Sequence, residues 1–342
     1  MRKKEILATI LDRLLPDSIL PAISSICTQK LTVLAYHRIA DIDKASYQFD
    51  DELISASIND FEFQVKYINK HYNPISMEQL INHINDRAEL PTRPLLITFD
   101  DGFDDNFHAA FPILKKHNVP ATIFISTGFI EAIDTIWFDQ LTALILAMNE
   151  QSIYLDELNK TYQLKNDKRS RYGAVAEILY DIKRIPDKDR LALITRLNDE
   201  FSLLKNKINY QQSKMLTWDQ IREMNKSVIS FGSHTVNHPI LTRLDEKSLN
   251  AELLESKSTI ELELNTEILS ISYPDGNSEA FSSHIIERVK DAKYDVGFSY
   301  IAGINPIPLK NHFSIKRLHI EYYMSRSHFK ALLSLPRIFC EH

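Results

Sequence analysis

The sequence predicts an α/β protein whose strands form a parallel sheet, either open or closed as a barrel. Short apolar runs recur along the chain, and most are followed by a stretch with the amphipathic spacing of a helix. Strands that alternate with helices are typical of parallel sheets. In addition, polar side chains directly follow two of the apolar runs, and α/β barrels place their functional groups at such strand ends.

The predicted elements follow one another in a simple order. Strands are predicted at residues 31–37, 95–99, 121–125, 227–232, 268–273, 294–299 and 314–320. Helices are predicted at residues 60–70, 77–87, 104–117, 247–264 and 283–292, and Pro112 should kink or restart the third of them. Residues 138–215 lack this alternation, apart from a strand-like run at 152–155, and we interpret them as a helical insertion.

Three segments are expected: an amphipathic helical segment at 1–30, the main α/β domain at 31–325 with its insertion, and a C-terminal tail at 326–342. In the first segment Ile6, Ile10, Leu14 and Leu15 can share one helix face, with Lys3, Lys4 and Arg13 available to anionic lipid. A stripe of this kind more often packs on its own domain.

Composition limits the location and the partners. No run approaches about 18 uncharged apolar residues, so no spanning helix is predicted. We expect a cytoplasmic protein, with residues 1–30 as the part that would touch the inner membrane. The net charge of −6 argues against a nucleic-acid partner. The two cysteines, Cys27 and Cys340, form neither a disulfide framework nor a metal cluster.

Two adjacent carboxylates, Asp100 and Asp101, end the strand that begins at Leu95. They repel each other and lose hydration, so the arrangement contributes little to folding. A bound cation would resolve this by taking one carboxylate as a ligand and keeping the other ionised. Gly102 permits a sharp turn at this point. The alternative is a polar turn in which Asp101 or Asp104 caps the next helix.

A second polar group, His234 and His238, follows the strand at 227–232. Two histidines four residues apart can point the same way on a helical turn or a tight loop. With Asp101 they form a two-histidine, one-carboxylate set, which Zn²⁺ accepts while keeping a fourth position for water. The sequence therefore predicts one divalent metal ion, with zinc as the favoured ion.

These motifs resemble those of the polysaccharide deacetylases, the NodB-homology or carbohydrate esterase family 4. The resemblance covers most of residues 31–320 and is carried by Tyr36-His-Arg-Ile39, Thr98-Phe-Asp-Asp-Gly102, Phe111-Pro-Ile-Leu-Lys-Lys116, Ala121-Thr-Ile-Phe124, Trp137, His234-Thr-Val-Asn-His238 and Ser272-Tyr-Pro-Asp-Gly276. It implies a distorted (β/α) barrel of the NodB-homology type with one metal at the carboxyl ends of the strands. It also implies that Asp100 is the general base and that Asp101, His234 and His238 are the metal ligands.

The chain departs from the family pattern in its third motif. The family often has an arginine there that steadies the catalytic aspartate, whereas the matching positions in this chain are Ser272 and Asp275. Another group must then hold Asp100. Arg317, on the last predicted strand, is the candidate, and Arg38 is the other. The competing interpretation of Arg317 is a solvated surface charge.

A second departure concerns the general acid. The family's last strand carries a histidine motif that residues 315–320 match poorly and residues 33–37 match better. This resembles the subgroup acting on poly-N-acetylglucosamine, in which the barrel order is permuted and this strand comes first. His37 is then the acid. His319 is its competitor, and a histidine hydrogen-bonded to a loop is the alternative.

The resemblance implies a metal-dependent hydrolase that removes an N-acetyl group from an amino sugar of a polysaccharide or lipid-linked saccharide. Tyr273 and Asp275 are expected to contact the substrate, with a backbone N–H near them stabilising the oxyanion. A deformylase or an O-acetyl esterase could use the same site. A catalytically inactive glycan-binding barrel is the alternative from another class.

Overall fold

The computed structural model describes residues 2–15, 29–86, 88–165 and 167–340. Within them the strands are β1 (Lys30–Tyr36), β2 (Arg38–Ile39), β3 (Ile54–Ala56), β4 (Asn73–Pro74), β5 (Pro94–Phe99), β6 (Ala121–Ile125), β7 (Ser152–Leu155), β8 (Lys160–Gln163), β9 (Ile229–Ser233), β10 (Ser270–Ser272), β11 (Val296–Ala302), β12 (Asn305–Pro306) and β13 (Ile315–His319). The α-helices are Arg2–Leu14, Ile58–His71, Met77–Asp86, Phe111–His117, Trp137–Ala147, Lys168–Ile182, Asp187–Glu200, Ser202–Lys205, Trp218–Asn225, Glu246–Leu264, Ser283–Asp291, Arg326–Ser334 and Pro336–Phe339.

Parallel strands close into a barrel in the order β1-β5-β6-β9-β10-β11-β13 and back to β1. The first strand of the chain closes the ring, because Leu34 lies opposite Ile97 of β5 on one side and Leu318 of β13 on the other. The α/β barrel that the family resemblance implies is therefore confirmed, and the last strand of the barrel, β13, pairs with the first, β1.

The helix Ile58–His71 shows how the sequence produces the outer layer. The Ser57 side chain caps its first turn by accepting a hydrogen bond from the Asp60 N–H. Phe61, Val65 and Ile68 recur at helical spacing and are completely buried against the barrel. Each such side chain contributes roughly 1.5–3 kcal/mol when it leaves water.

The helix after the Asp pair does not run evenly over residues 104–117. A π-helical turn occupies Asn106–Ala110, and a regular α-helix then runs over Phe111–His117. Pro112 lies in the first turn of that α-helix, where its missing N–H costs nothing. The α-helix therefore restarts next to Pro112, as expected. The π-helical turn before it is wider than an α-helical turn.

The inserted region has a hydrophobic core of its own. Buried side chains from its helices, among them Leu141, Ile178 and Leu193, pack together in one cluster. The predicted strand at 152–155 is confirmed as β7, and it pairs in antiparallel fashion with β8. The sequence did not reveal β8, because Lys160, Thr161 and Gln163 are polar and only Tyr162 is buried.

Residues 326–340, for which the sequence predicted no element, form two helices rather than an irregular tail. Phe329, Leu332 and Leu333 are buried at helical spacing, which explains why this segment packs on the barrel. The helix Arg2–Leu14 lies beside it, so the N-terminal segment is helical where it is described; residues 1 and 16–28 lie outside the described residues. None of the described helices has the length and apolar character that a membrane crossing requires.

Candidate active site

The three predicted metal ligands meet at the carboxyl ends of two strands. Asp101 follows β5, and His234 and His238 lie on the loop after β9. Their ligand atoms all lie within 4.8 Å of one another, and all three side chains are buried. The Nε2 atoms of His234 and His238 lie 3.5 and 3.4 Å from the same Asp101 oxygen, Oδ1.

The backbone around these ligands adopts conformations that are rare for residues with a side chain. Asp101 has φ 75°, Thr235 has φ 69° and His238 has φ 49°, all in the left-handed region. Such residues cost about 1–3 kcal/mol each and cluster at functional sites. Gly102 follows in the same turn with φ 89°. A glycine is needed at this position, because an added Cβ would lie only 2.9 Å from Ile125 Cγ2.

The chemistry of the set fits a divalent cation. Asp101 Oδ2 is buried with no hydrogen-bond partner among the described residues. Burial, followed by the neighbouring charge of Asp100, raises the pKa of Asp101 well above its usual value, a penalty that a cation would offset. His234 Nδ1 contacts the Ser272 carbonyl oxygen at 2.7 Å, so its Nε2 faces Asp101. Burial lowers the pKa of both histidines, and neutral imidazole is the form that binds metal.

Asp100 lies beside this set and is held by Arg317. Arg317 donates from Nη1 to Asp100 Oδ1 at 2.8 Å and from Nη2 to Oδ2 at 2.7 Å. Burial raises the pKa of Asp100, but the charge and hydrogen bonds of Arg317 outweigh this and hold that pKa well below its usual range. Arg317 is completely buried, so the surface-charge interpretation is wrong, and it makes the contact expected from the sequence.

Arg38, the other candidate, serves a different cluster. Its Nε donates to Asp105 Oδ2 at 2.7 Å and its Nη1 donates to the Tyr47 hydroxyl at 2.6 Å. The position where the family often has an arginine is Ser272, whose hydroxyl donates to Asp100 at 3.3 Å and accepts from Arg317 at 3.0 Å. A short side chain at this position leaves room for the guanidinium of Arg317.

His37 and His319 lie in different surroundings. His37 follows β1 and lines the same cavity as Asp100, Asp101 and both metal-site histidines. His319 lines a separate, smaller cavity and stacks on Tyr300, with the ring centres 3.7 Å apart. His37 is thus the histidine that faces the site. Its burial lowers its pKa to about 4, although the charge of Asp100 acts in the opposite direction.

Tyr273 and Asp275 both line this cavity, but in different ways. The Tyr273 hydroxyl donates to the Phe313 carbonyl oxygen at 2.9 Å, and the Tyr273 N–H donates to Phe298. Residue 274 is a proline and has no N–H. The Asp275 N–H has no acceptor among the described residues, and Asp275 lines the cavity, so this N–H is a candidate donor to a ligand.

Sequence reasoning missed several residues of this cavity, which has a volume of about 310 Å³. The inserted region contributes Phe138, Leu179 and Lys183 to its wall. Other parts of the chain contribute Asp50, Glu52, Leu53, Tyr300 and Glu321. No local pattern marks these residues, because their approach to the site depends on how the insertion and the loops fold over the barrel.

Comparisons with known proteins identify the family of this chain. The sequence profile described as polysaccharide deacetylase matches residues 87–181 and 193–297, more than half of the chain. The poly-beta-1,6-N-acetyl-D-glucosamine N-deacetylase of Staphylococcus aureus (strain MSSA476) is 34% identical over 76 residues, which cover 22% of this chain and 26% of that protein. The chain therefore matches only about a quarter of that relative's length.

Solved structures show the same fold. The Streptococcus pyogenes deacetylase PplD, in complex with acetate, superposes with a TM-score of 0.59 at 20% identity, over 90% of this chain and 97% of that one. IcaB from Ammonifex degensii superposes with a TM-score of 0.54 at 16% identity, over 90% of this chain and 96% of that one. The matched profile, together with this fold, shows that the chain belongs to the polysaccharide deacetylase family.

Proposed function

We propose that this protein is a metal-dependent hydrolase that removes the N-acetyl group from an amino sugar of a polysaccharide or lipid-linked saccharide. The observation that carries the proposal is the cluster of Asp101, His234 and His238 directly beside the Arg317-bound carboxylate of Asp100. The Staphylococcus aureus relative, which is named as an N-deacetylase of a glucosamine polymer, supports this substrate class.

Asp101, His234 and His238 would hold one divalent cation, and two imidazoles with one carboxylate favour zinc. When bound there, the cation would supply Lewis acidity for the acetyl carbonyl and lower the pKa of a water molecule. The second nitrogen of His234 is occupied by the Ser272 carbonyl oxygen, which orients the ring and fixes which nitrogen can serve as the ligand.

Asp100 acts as the general base in this proposal. Because Arg317 keeps its pKa low, the carboxylate is ionised at neutral pH and can accept the proton of the attacking water. Both of its oxygens are bonded, so its orientation is set before the substrate arrives. The Asp275 N–H donates to the oxyanion that forms when the water adds to the carbonyl.

His37 acts as the general acid that protonates the leaving amine. With a pKa of about 4 the resting imidazole is neutral, so it first takes up a proton from the solvent and then donates that proton to the leaving amine. Negative charge that builds up in the cavity during the reaction raises the pKa of His37, because an opposite charge nearby stabilises imidazolium.

Release of acetate from N-acetylglucosamine oligomers by the zinc-loaded protein tests the proposal. Asp100→Asn should bind as much zinc as the native protein but lose about 10²–10⁴ in kcat, because an amide of the same shape cannot accept the proton. Asp104→Asn is the matched control, since Asp104 accepts a hydrogen bond from Gln220 and does not line the cavity. Near-native turnover by Asp100→Asn would mean that Asp100 is only structural.

Substrate profiling separates the proposed activity from its alternatives. A deformylase would prefer N-formyl over N-acetyl sugars, and an O-acetyl esterase would release acetate from O-acetylated sugars whose amines are already free. A glycan-binding barrel without activity would bind the oligomer and release nothing, even when the purified protein contains one zinc per chain.

We further propose that the helix Arg2–Leu14 places the protein on an anionic membrane surface at the cytoplasmic side. Its inner face is tied to the helix Arg326–Ser334 by ion pairs, for example Asp12 with Lys330 at 2.9 Å. Its outer face exposes large apolar side chains, with Ile6 55%, Ile10 46% and Leu14 73% exposed. Arg13 and Lys3 are exposed beside them, which suits an interfacial helix on anionic lipid.

Sedimentation with vesicles tests this second proposal. The native protein should sediment with vesicles of phosphatidylglycerol and phosphatidylethanolamine, and Ile6→Glu with Ile10→Glu should abolish this. Ile133→Glu is the matched control, because Ile133 is 94% exposed but lies far along the chain from this helix. Equal binding by the double variant and the native protein would rule out docking through this face.

A further inference from the structure

The wall of the catalytic cavity is built from two parts of the chain, the barrel loops and the inserted region. Lys183, directly after the inserted helix Lys168–Ile182, lines this cavity together with Phe138 and Leu179. Its Nζ donates to Asp275 Oδ1 at 2.5 Å, although Asp275 belongs to the loop after β10. An ammonium group and a carboxylate therefore lie side by side on one wall.

The Asp275 carboxylate is held on both of its oxygens. Oδ1 accepts from Lys183 and Oδ2 accepts from Asn277 Nδ2. The backbone of Asp275 lies in the left-handed region, with φ 61°, so the turn itself directs the residue. Because these contacts hold the Asp275 carboxylate in place, the donors and acceptors of the ion pair that are still unused have fixed directions.

That remaining capacity suits a sugar. A lysine ammonium has three donors, and each carboxylate oxygen can accept more than one hydrogen bond. A donor and an acceptor next to each other match neighbouring hydroxyl groups of a pyranose ring, each of which both donates and accepts. Phe138 and Leu179 add apolar surface to the same cavity, as is usual for small-molecule sites with a few placed polar groups.

We propose that Lys183, together with Asp275, binds hydroxyl groups of the substrate sugar and is a specificity-determining residue of this enzyme. The inference rests on the proposed deacetylase function and names the part of the site that recognises the saccharide. Lys183 lies in the gap between residues 87–181 and 193–297, the two stretches that match the family profile. The insertion thus supplies the ammonium group of this pair, whereas Asp275 comes from a loop of the barrel that carries the reacting groups.

A purely structural role for the Lys183–Asp275 pair does not account for its position in the cavity wall. The Lys183 side chain is 32% exposed, and partly exposed ion pairs contribute only about 0–1 kcal/mol to folding. The same helix end already has another link to the loop, because Arg184 Nη2 lies 3.4 Å from Glu279 Oε2. Arg184 does not line the cavity, so it provides a matched control for the anchoring role.

Steady-state kinetics on two substrates test the proposal. Lys183→Met keeps the length of the side chain and removes its charge and donors. We expect it to raise KM for an N-acetylglucosamine oligomer roughly tenfold, the effect of losing one charge-assisted hydrogen bond. KM for 4-nitrophenyl acetate, which has no sugar hydroxyl, should change much less. Arg184→Ala should leave KM for the oligomer within twofold of the native value.

Two results would overturn the inference. The first is an equal effect of Lys183→Met on the oligomer and on 4-nitrophenyl acetate, which would mean that Lys183 acts on the metal centre or the fold. The second is an equal effect of Lys183→Met and Arg184→Ala, which would make the ion pair an anchor only. If the native protein hydrolyses neither substrate, the proposed function fails, and calorimetric binding of the oligomer to native protein and Lys183→Met still tests the sugar contact.

Discussion

Arg317 reaches across the barrel to bind both carboxylate oxygens of Asp100, at 2.8 and 2.7 Å, although 217 residues separate them in the chain. Their strands, β13 and β5, are not neighbours, because β1 lies between them. The contact therefore bridges the two strands that flank the first strand of the chain in the closed ring. This pair links the closure of the barrel to the ionisation of the proposed base.

Removing the cation of this pair should destabilise the fold strongly. Arg317→Met leaves the buried Asp100 charge uncompensated, which typically costs about 3–5 kcal/mol in the free energy of unfolding. Urea unfolding followed by circular dichroism measures this. The double variant Asp100→Asn, Arg317→Met should recover much of the loss, because no unpaired charge remains. A double variant as unstable as Arg317→Met would show that the packing of the Arg317 side chain, and not its charge, matters.

Truncating the proposed acid should affect amides more than activated esters. His37→Ala is expected to lower kcat for an N-acetyl sugar by about 10²–10⁴, because the leaving amine must gain a proton. The loss on 4-nitrophenyl acetate should be smaller, since nitrophenolate leaves without protonation. His319→Ala should change neither rate much, as His319 lines a different cavity. Equal losses of His37→Ala on both substrates would contradict the acid role.

The metal site should be visible in stability as well as in activity. A ligand that binds the folded state adds about 2.7 kcal/mol at a concentration 100 times its Kd, so zinc should raise the Tm of the metal-free protein. His238→Ala should remove most of this rise and most of the bound zinc. His117→Ala, which removes a partly buried histidine beside Glu62 and outside the cavity, should bind zinc like the native protein. A zinc-dependent Tm in His238→Ala equal to that of native protein would rule out this ligand set.

The turn at Gly102 should be sensitive to a single methyl group. In Gly102→Ala the new Cβ would lie 2.9 Å from Ile125 Cγ2 at a φ of +89°, and a left-handed residue costs about 1–2 kcal/mol. We expect lower stability and weaker zinc binding, because Asp101 precedes the turn. Gly173→Ala is the matched control: nothing lies within 4 Å of its Cβ, and a helical position should gain about 0.5–1 kcal/mol. Unchanged zinc affinity in Gly102→Ala would mean that the turn does not position Asp101.

The sequence by itself determined the local features of this protein. Apolar runs and helical spacing located every barrel strand to within a few residues, since these patterns depend only on neighbouring side chains and on the need to bury them. The Asp100–Asp101 pair and the histidines at 234 and 238 were recognisable for the same reason. The two members of each pair are at most four residues apart and directly follow a strand, so the end of that strand sets the direction of their side chains.

The tertiary structure alone decided which distant groups complete the site. The sequence alone was compatible with Arg317 as a surface charge, whereas the closed barrel buries it against Asp100. His37, rather than His319, faces the cavity because of where β1 and β13 end around the barrel. Lys183 reaches Asp275 because the inserted helices fold back over the loop after β10. Contacts of this kind depend on the packing of whole elements, which no local sequence pattern records.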